Sequence, residues 1–144
     1  MARVLGIDLG SRRIGVAVSD GLGLFAQPRA TIARHGGVRD IDAIAAAVKD
    51  ADAERIVLGL PLDCEGQEGP AAQRARVFGE KLRVALQLPV EMVDESFSTV
   101  EAEAVLLAAD VSRARRKQVV DKMAAAVILQ RWLDANRDRT EETP

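Results

Sequence analysis

Arg3-Val-Leu-Gly-Ile-Asp-Leu-Gly-Ser-Arg-Arg-Ile-Gly-Val-Ala-Val-Ser19 consists of two apolar runs separated by a short polar turn, and this pattern indicates the fold more clearly than any other segment. Successive side chains of a strand point to opposite faces, so Asp8 shares its face with the small residues Gly6 and Gly10. A carboxylate within an apolar run is costly unless a cation or a hydrogen-bond donor meets it. The pattern indicates a hairpin whose bare face lets a metal or phosphate ligand approach the backbone.

The same residues also allow a purely structural interpretation. Asp8 could close the turn at residues 10–13 by pairing with Arg12 or Arg13, since acids followed by glycine often mark hairpin turns. The rest of the chain has to decide between the two.

Composition limits the class of protein. A chain of 144 residues is long enough for one domain with a real core. Only 3% of the residues are aromatic, which disfavours a base-stacking platform. Cys64 is the single cysteine, so an internal disulfide is impossible and a reducing compartment fits. The sequence shows neither a signal peptide nor an apolar run that could span a membrane, and the predicted location is cytoplasmic. The net charge of −2 argues against nonspecific coating of nucleic acid.

The hydrophobic periodicity predicts five strands and four helices. The strands are predicted at 3–9, 13–19, 24–33, 55–59 and 90–94, and the helices at 38–49, 70–85, 98–109 and 119–133. Pro28 places the third strand at an edge, and Ser98 with Glu101 forms a capping box. A meander followed by α/β alternation predicts a mixed five-stranded sheet with helices on both faces. Residues 1–134 form this domain, and residues 135–144 form a polar, disordered tail.

Two further acids are candidates for a site. Glu95 follows the fifth strand, and α/β sheets bind ligands at the carboxyl ends of their strands; Asp94 replaces it if the register shifts by one. An ordinary exposed acid before a helix is the alternative for Glu95. At about 100° per residue, Asp121 lies on the apolar stripe of the last helix, beside Ala125 and Ile128.

Convergence of Asp8, Glu95 and Asp121 would create repulsion that needs a cation to neutralise it. Hard carboxylate oxygens select Mg²⁺ or Mn²⁺ rather than Zn²⁺. Such clusters support phosphodiester hydrolysis, with two ions about 3.5–4 Å apart. The predicted chemistry is that of a nuclease, and the predicted partner is nucleic acid.

Basic residues form clusters that could contact a nucleic acid. The candidates for phosphate contact are Arg12, Arg13, Arg113, Arg115, Arg116 and Lys117. A further group consists of Arg74, Arg76, Lys81 and Arg83, and for that group we favour a solvated helix face. His35, in a His-Gly-Gly turn, is expected at the surface.

Four motifs in order resemble the YqgF (RuvX) family. They are residues 5–20, residues 57–62 with Gly66 and Gly69, residues 94–99, and residues 121–125. The resemblance covers Val4 to Leu133. It implies an RNase H-like fold and an activity described for the family either as Holliday junction resolution or as maturation of the 5′ end of precursor small-subunit rRNA.

Carried over position by position, the acidic site of the family falls on Asp8, Glu95 and Asp121, as the catalytic and metal-binding residues. The family commonly has Asp-Glu-Arg where this chain has Ser96 as the third residue. If that arginine contacts phosphate, Arg12 or the cluster at 113–117 would have to replace it. Arg12 itself stands where lysine is usual, which keeps the charge and changes its geometry.

Four hypotheses follow. The leading one is a metal-dependent nuclease that processes structured RNA. Its expected partners include the assembling ribosomal subunit, and its expected oligomeric state is a monomer or a dimer. Resolution of four-way DNA junctions is the second, and it requires a dimer with two symmetric sites. The third is a phosphate loop of the actin and sugar-kinase type, for which the chain lacks a second lobe. A noncatalytic RNA-binding or ribosome-binding module is the fourth, against which the intact acidic trio argues.

Overall fold

The structure is a computed structural model, which describes the backbone of residues 3–142 and the side chains of residues 3–137. Its elements follow one another in the predicted order. They are β1 (Arg3–Leu9), β2 (Arg13–Ser19), β3 (Ala26–Ala33), α1 (Gly37–Ala51), β4 (Ala53–Leu60), α2 (Pro70–Leu86), β5 (Val90–Asp94), α3 (Ser98–Ala108) and α4 (Arg113–Glu142). No helix in the described part of the chain is long and apolar enough to cross a membrane.

The sheet has five strands in the order β3-β2-β1-β4-β5. β1 pairs antiparallel with β2 and parallel with β4, and β4 pairs parallel with β5. The predicted mixed sheet is therefore confirmed, and β3, which carries Pro28, lies at an edge as predicted. Because β1, β4 and β5 run in the same direction, their carboxyl ends meet at one edge of the sheet.

Helices cover both faces of the sheet, as the sequence pattern predicted. On one face, Leu5, Ile7 and Ile14 belong to a core that also includes Ile44 of α1 and Leu82 of α2. The other face holds Val4, Ala17 and Val57 against the apolar stripe of α4. Asp8 has the same strand parity as Val4, so its side chain is on the α4 side.

Glycines on three strands let α4 and the Glu95 side chain approach the sheet closely. A Cβ at Gly6 would lie 2.7 Å from Leu129 Cβ, and one at Gly15 would lie 2.0 Å from the backbone oxygen of Asp121. At Gly59 it would lie 2.5 Å from Glu95 Oε2. We had expected the bare face around Asp8 to admit a ligand. At Gly6 and Gly15 it is helix α4 that uses this space.

Two predicted helix boundaries are wrong. The last helix begins at Arg113, not at residue 119, and continues to Glu142. Residues 135–142 of the predicted tail continue this helix, and residues 143–144 lie outside the described residues; the division into a domain and a tail stays a prediction. The capping box is also wrong, because the residue before α3 is Phe97 and no side chain caps the helix. Glu101 instead accepts a hydrogen bond from Arg131 at 2.9 Å.

Asp40 is a buried carboxylate that ties the start of α1 to the hairpin. It accepts hydrogen bonds from Arg34 Nε at 3.2 Å, His35 N at 2.9 Å and Gly36 N at 3.1 Å. Arg34 also donates to the carbonyl of Gly10 at 3.0 Å. Burial alone would raise the pKa of Asp40, but the His35 N–H, Arg34 and the Gly36 N–H outweigh it, so the pKa is lowered. His35 is exposed, as expected.

Asp40→Ala is expected to lower the free energy of unfolding by about 2–3 kcal/mol at pH 7, because three donors lose their acceptor. A lowered carboxyl pKa stabilises the fold above its ordinary value of about 4, and this contribution is lost as the pH falls through the lowered value. The difference between variant and wild type should therefore shrink near pH 3. Urea unfolding at both pH values measures it, with the exposed Asp42→Ala as the control. An equal effect of the two substitutions would contradict this role of Asp40.

Candidate active site

Three neighbouring strands position Asp8 and Glu95 at the carboxyl edge of the sheet. Asp8 lies near the end of β1, and Glu95 follows β5 directly. Between them runs β4, whose Gly59 has no side chain to separate them. The backbone N–H of Glu95 donates to the carbonyl of Leu60 at 3.2 Å, which continues the strand pairing and turns its side chain over Gly59.

The carboxyl groups of Asp8 and Glu95 lie within hydrogen-bonding reach of each other. Burial, followed by the charge and hydrogen bond of Asp8 and the charge of Asp94, raises the pKa of Glu95 to about 8. Burial also raises the pKa of Asp8, with Asp121 adding to the rise, while the hydrogen bond to Glu95 opposes it. When both groups are ionised, each is only a hydrogen-bond acceptor and neither can donate to the other. The buried Glu95 Oε2 has no hydrogen-bond partner. Either a proton or a bound cation would offset the repulsion between the two carboxylates.

Asp121 lies in the third turn of α4, above Gly15 of β2. Its Oδ2 accepts a hydrogen bond from Arg13 Nε at 2.7 Å, and its side chain is 25% exposed. Asp121 is near enough for its charge to raise the pKa of Asp8. Among the described residues, however, no group of three acids, histidines or cysteines is arranged to hold a metal ion. The structure brings Asp8 and Glu95 together and leaves Asp121 beside them, paired with Arg13.

Asp94 has a different role from that of Glu95. It is exposed, and its Oδ1 accepts a hydrogen bond from the backbone of Ser96 at 2.8 Å. The Ser96 side chain and backbone, with help from Arg131, lower the pKa of Asp94 although burial opposes this. The register is the one that turns Glu95, not Asp94, towards Asp8.

Arg131 is the cation that the structure places at this turn. Its guanidinium donates to the backbone oxygen of Asp94 and to Glu101, each at 2.9 Å. Arg131 was not among the cations expected here, which were Arg12 and the cluster at 113–117. No local pattern could have indicated it, because Arg131 is 37 residues away from Asp94 in the sequence.

The basic candidates differ in their surroundings. Arg13 is committed to Asp121, whereas the side chain of Arg12 is exposed in the hairpin turn. The cluster at 113–117 forms the first turns of α4 rather than a segment before it. Within it, Arg116 donates to the carbonyl of Val111 at 2.8 Å, and the exposed members are Arg113, Arg115 and Lys117. Phosphate contact by all of these residues stays a prediction.

A pocket of about 330 Å³ opens over the acid pair, between the loop after β4 and the turn before α3. Asp8 and Glu95 form part of its lining, together with Leu62 and Phe97. Phe97 is 76% exposed and adopts the left-handed conformation with φ 61°, which is unusual for a bulky residue. Phe97 was not among the predicted site residues, although it is one of only three phenylalanines.

Known proteins are similar to this chain in sequence and in fold. A model of the RuvX family, described as "Holliday junction resolvase", matches residues 2–135. A protein of Myxococcus xanthus named "Putative pre-16S rRNA nuclease" is 50% identical over 135 residues, which cover 94% of this chain and 89% of the relative. A Heliobacterium modesticaldum protein of the same name is 44% identical, over 98% of each chain.

Solved structures of junction resolvases have the same architecture. Thermus thermophilus RuvC in complex with a Holliday junction substrate aligns with a TM-score of 0.58 at 15% identity, over 95% of this chain and 96% of that one. The Fowlpox virus resolvase in complex with Holliday junction DNA aligns with a TM-score of 0.59 at 8% identity, over 93% and 98%.

The sheet order, the helix on the Asp8 face and these alignments define an RNase H-like fold. Within that class, the chain belongs to the RuvX family. The predicted fold and family are thus both confirmed.

Proposed function

We propose that this protein is a divalent-metal-dependent nuclease that trims the 5′ end of precursor 16S rRNA in the cytoplasm. The observation that carries the proposal is the buried pair Asp8 and Glu95, which faces a pocket and leaves Glu95 Oε2 without a partner. The proposed substrate comes from the names of the similar proteins. Membership of a nuclease family supports the reaction class.

The acid pair fits a hard divalent cation. Two carboxyl groups that repel each other and have no donor among the described side chains are the kind of oxygen ligands that Mg²⁺ and Mn²⁺ prefer. Asp8 and Glu95 would hold the ion, and Asp121 would join them on exchanging its Arg13 partner. A bound cation would supply Lewis-acid polarisation of the scissile phosphate and a lowered pKa for water.

The chain's own residues prepare this site. Gly59 lets Glu95 lie flat against the sheet, which brings its carboxyl group to Asp8. Burial keeps the pair short of water, and this makes its charges interact strongly with any cation that enters. Arg13 donates to Asp121 at the side of the pair and balances its charge.

Resolution of four-way DNA junctions is the second candidate, and the description of the matching family favours it. This second candidate would use the same acidic residues as the first and would differ from it only in its substrate. Paired cuts across a junction require two copies of the site related by symmetry, so a dimer in solution belongs to this candidate only.

A cleavage assay distinguishes the two candidates. Wild type, Asp8→Asn and the exposed control Asp42→Asn are incubated with Mg²⁺ or Mn²⁺ and with two end-labelled substrates, a precursor 16S rRNA 5′ leader and a mobile four-way DNA junction. We expect cleavage of the RNA by wild type and by the control, and none by Asp8→Asn. Symmetric cutting of the junction alone would replace our proposal by the second candidate. Full activity of Asp8→Asn would refute the site.

Arg13→Gln is expected to tighten Mn²⁺ binding by about two- to fivefold, because an exposed ion pair such as Arg13 with Asp121 is worth up to about 1 kcal/mol. Its loss frees Asp121 for the cation. Isothermal titration of the full chain measures the change, and Arg12→Gln, which removes the same charge from an exposed neighbour, is the control. Unchanged affinity in Arg13→Gln would show that Asp121 takes no part in binding.

A further inference from the structure

A groove of about 710 Å³ lies between α1 and α2 and reaches Glu95, one member of the acid pair. Glu95 lines its inner end, together with Gly10 and Ser11 of the hairpin turn. From there it follows α2 along Arg74, Phe78 and Lys81. It is separate from the pocket over Asp8, and Glu95 is a wall of both.

The structure divides the basic residues of α2 into two pairs. Arg76 binds Glu68 at 2.5 Å, and Arg83 binds Glu80 at 2.6 Å, and neither arginine lines the groove. Arg74 and Lys81 do line it, and among the described residues no carboxylate forms an ion pair with either. All four residues are exposed, which fits the solvated helix face favoured for them above, but only Arg74 and Lys81 line the groove.

Arg74 and Lys81 face the groove together because they are seven residues apart on a helix. This spacing corresponds to about 10.5 Å along the helix axis. The floor beside them is apolar, with Ile41, Val77 and Phe78. Two unpaired cations above an apolar floor suit a ligand that has anionic groups on one side and flat apolar faces on the other.

We propose that this groove binds a single-stranded segment of the nucleic-acid substrate next to the cleavage site, with Arg74 and Lys81 contacting its phosphates. An unpaired strand exposes both its phosphates and its base faces. A duplex hides those faces, and an acidic peptide would use the cations but not the floor. The continuity of the groove with Glu95 gives the strand a path to the acid pair. This inference rests on the proposed nuclease function, which it extends by a binding segment.

Binding can be measured without cleavage in the Asp8→Asn full chain. The probes are a fluorescent blunt RNA hairpin and the same hairpin with a short single-stranded extension. Into this background we introduce either Arg74→Ala with Lys81→Ala or, as the control, Arg76→Ala with Arg83→Ala. Both pairs remove two positive charges from the same helix, so the overall charge is matched. Fluorescence anisotropy is recorded over a range of salt concentrations.

We expect the Arg74/Lys81 variant to bind the extended hairpin about tenfold more weakly, since two phosphate contacts of about 0.7 kcal/mol each amount to this factor. The slope of log Kobs against log[salt] should decrease in magnitude by about 1.4, given about 0.7 per phosphate contact on a single strand. The control pair and the blunt hairpin should show little change.

Equal losses in the two double variants would overturn the inference, since total charge would then explain them. Equal losses on both hairpins would overturn it in favour of a duplex ligand, and no loss, or no binding of either probe, would also refute it. The wild-type cleavage assay is read separately. If cleavage depends on Asp8 but the Arg74/Lys81 variant binds as the control does, only the binding role of the groove is refuted. If binding depends on the groove but no substrate is cleaved, only the nuclease function is refuted.

Discussion

Gly15→Ala is expected to destabilise the protein by about 3 kcal/mol or more, at or beyond the upper end of the usual cost of overpacking a core. The added Cβ would lie 2.0 Å from the backbone oxygen of Asp121 and 2.5 Å from its carbonyl carbon. These are backbone atoms of α4, so no side-chain rotation can relieve the clash. The whole helix would have to move away from the sheet and would take Ile128 and Leu129 out of the core.

Urea unfolding of Gly15→Ala measures this effect, and Gly21→Ala is the control. A Cβ at Gly21 meets no atom within 4 Å, so the control should stay within about 0.5 kcal/mol of wild type. A stability of Gly15→Ala within about 1 kcal/mol of wild type would show that α4 packs less closely on β2 than the structure describes. Any folded Gly15→Ala protein should also lose activity, because the displaced helix carries Asp121.

Glu95→Gln is expected to abolish cleavage and, in metal-free buffer at pH 9, to stabilise the fold by about 1–3 kcal/mol, the usual range for removing an unsatisfied buried charge. The pKa of Glu95 is raised to about 8 in the folded protein, against an ordinary value of about 4.3. The folded state therefore binds more protons than the unfolded state between these values. Stability falls as the pH rises through this window, and the penalty is complete above pH 8.

A glutamine at this position carries no charge and can donate its amide N–H to Asp8. The advantage of the variant should therefore be small near pH 5 and largest at pH 9. Thermal unfolding in EDTA at both pH values measures it, and Glu54→Gln, which removes an exposed acid, should change little at either. A variant that is inactive and less stable at pH 9 would indicate a structural role for Glu95. One that keeps full activity would remove Glu95 from the site.

Much of this arrangement can be predicted from local sequence. Alternation along residues 3–19 identifies the hairpin and the face on which Asp8 lies. Pro28 marks the edge strand because proline lacks the N–H that an inner strand needs. Glu95 can be placed because the carboxyl ends of parallel strands meet at one edge. The first two conclusions depend on backbone chemistry within a few residues, and the third depends on a general rule of parallel sheets.

Other features depend on contacts that no local pattern encodes. The start of α4 was missed because residues 113–118 are mostly exposed, and a helix without a buried face shows no apolar periodicity. The ion pair of Arg13 with Asp121 joins residues 108 positions apart. The division of the α2 cations depends on which of them find Glu68 and Glu80. Such pairings decide which charges remain free for a ligand.

Asp8 and Glu95 together are proposed to bind a divalent cation. Isothermal titration of the full chain with Mn²⁺, at several pH values from 6 to 9, tests it without any assumption about the substrate. We expect wild type to bind and its affinity to rise with pH up to about 8, where the pair has lost its proton. Asp8→Asn and Glu95→Gln should each bind at least about tenfold more weakly, since changing even a residue that only orients a metal ligand costs about 10–100-fold in affinity. Absence of Mn²⁺ binding by wild type, or equal binding by all three proteins, would contradict the claim.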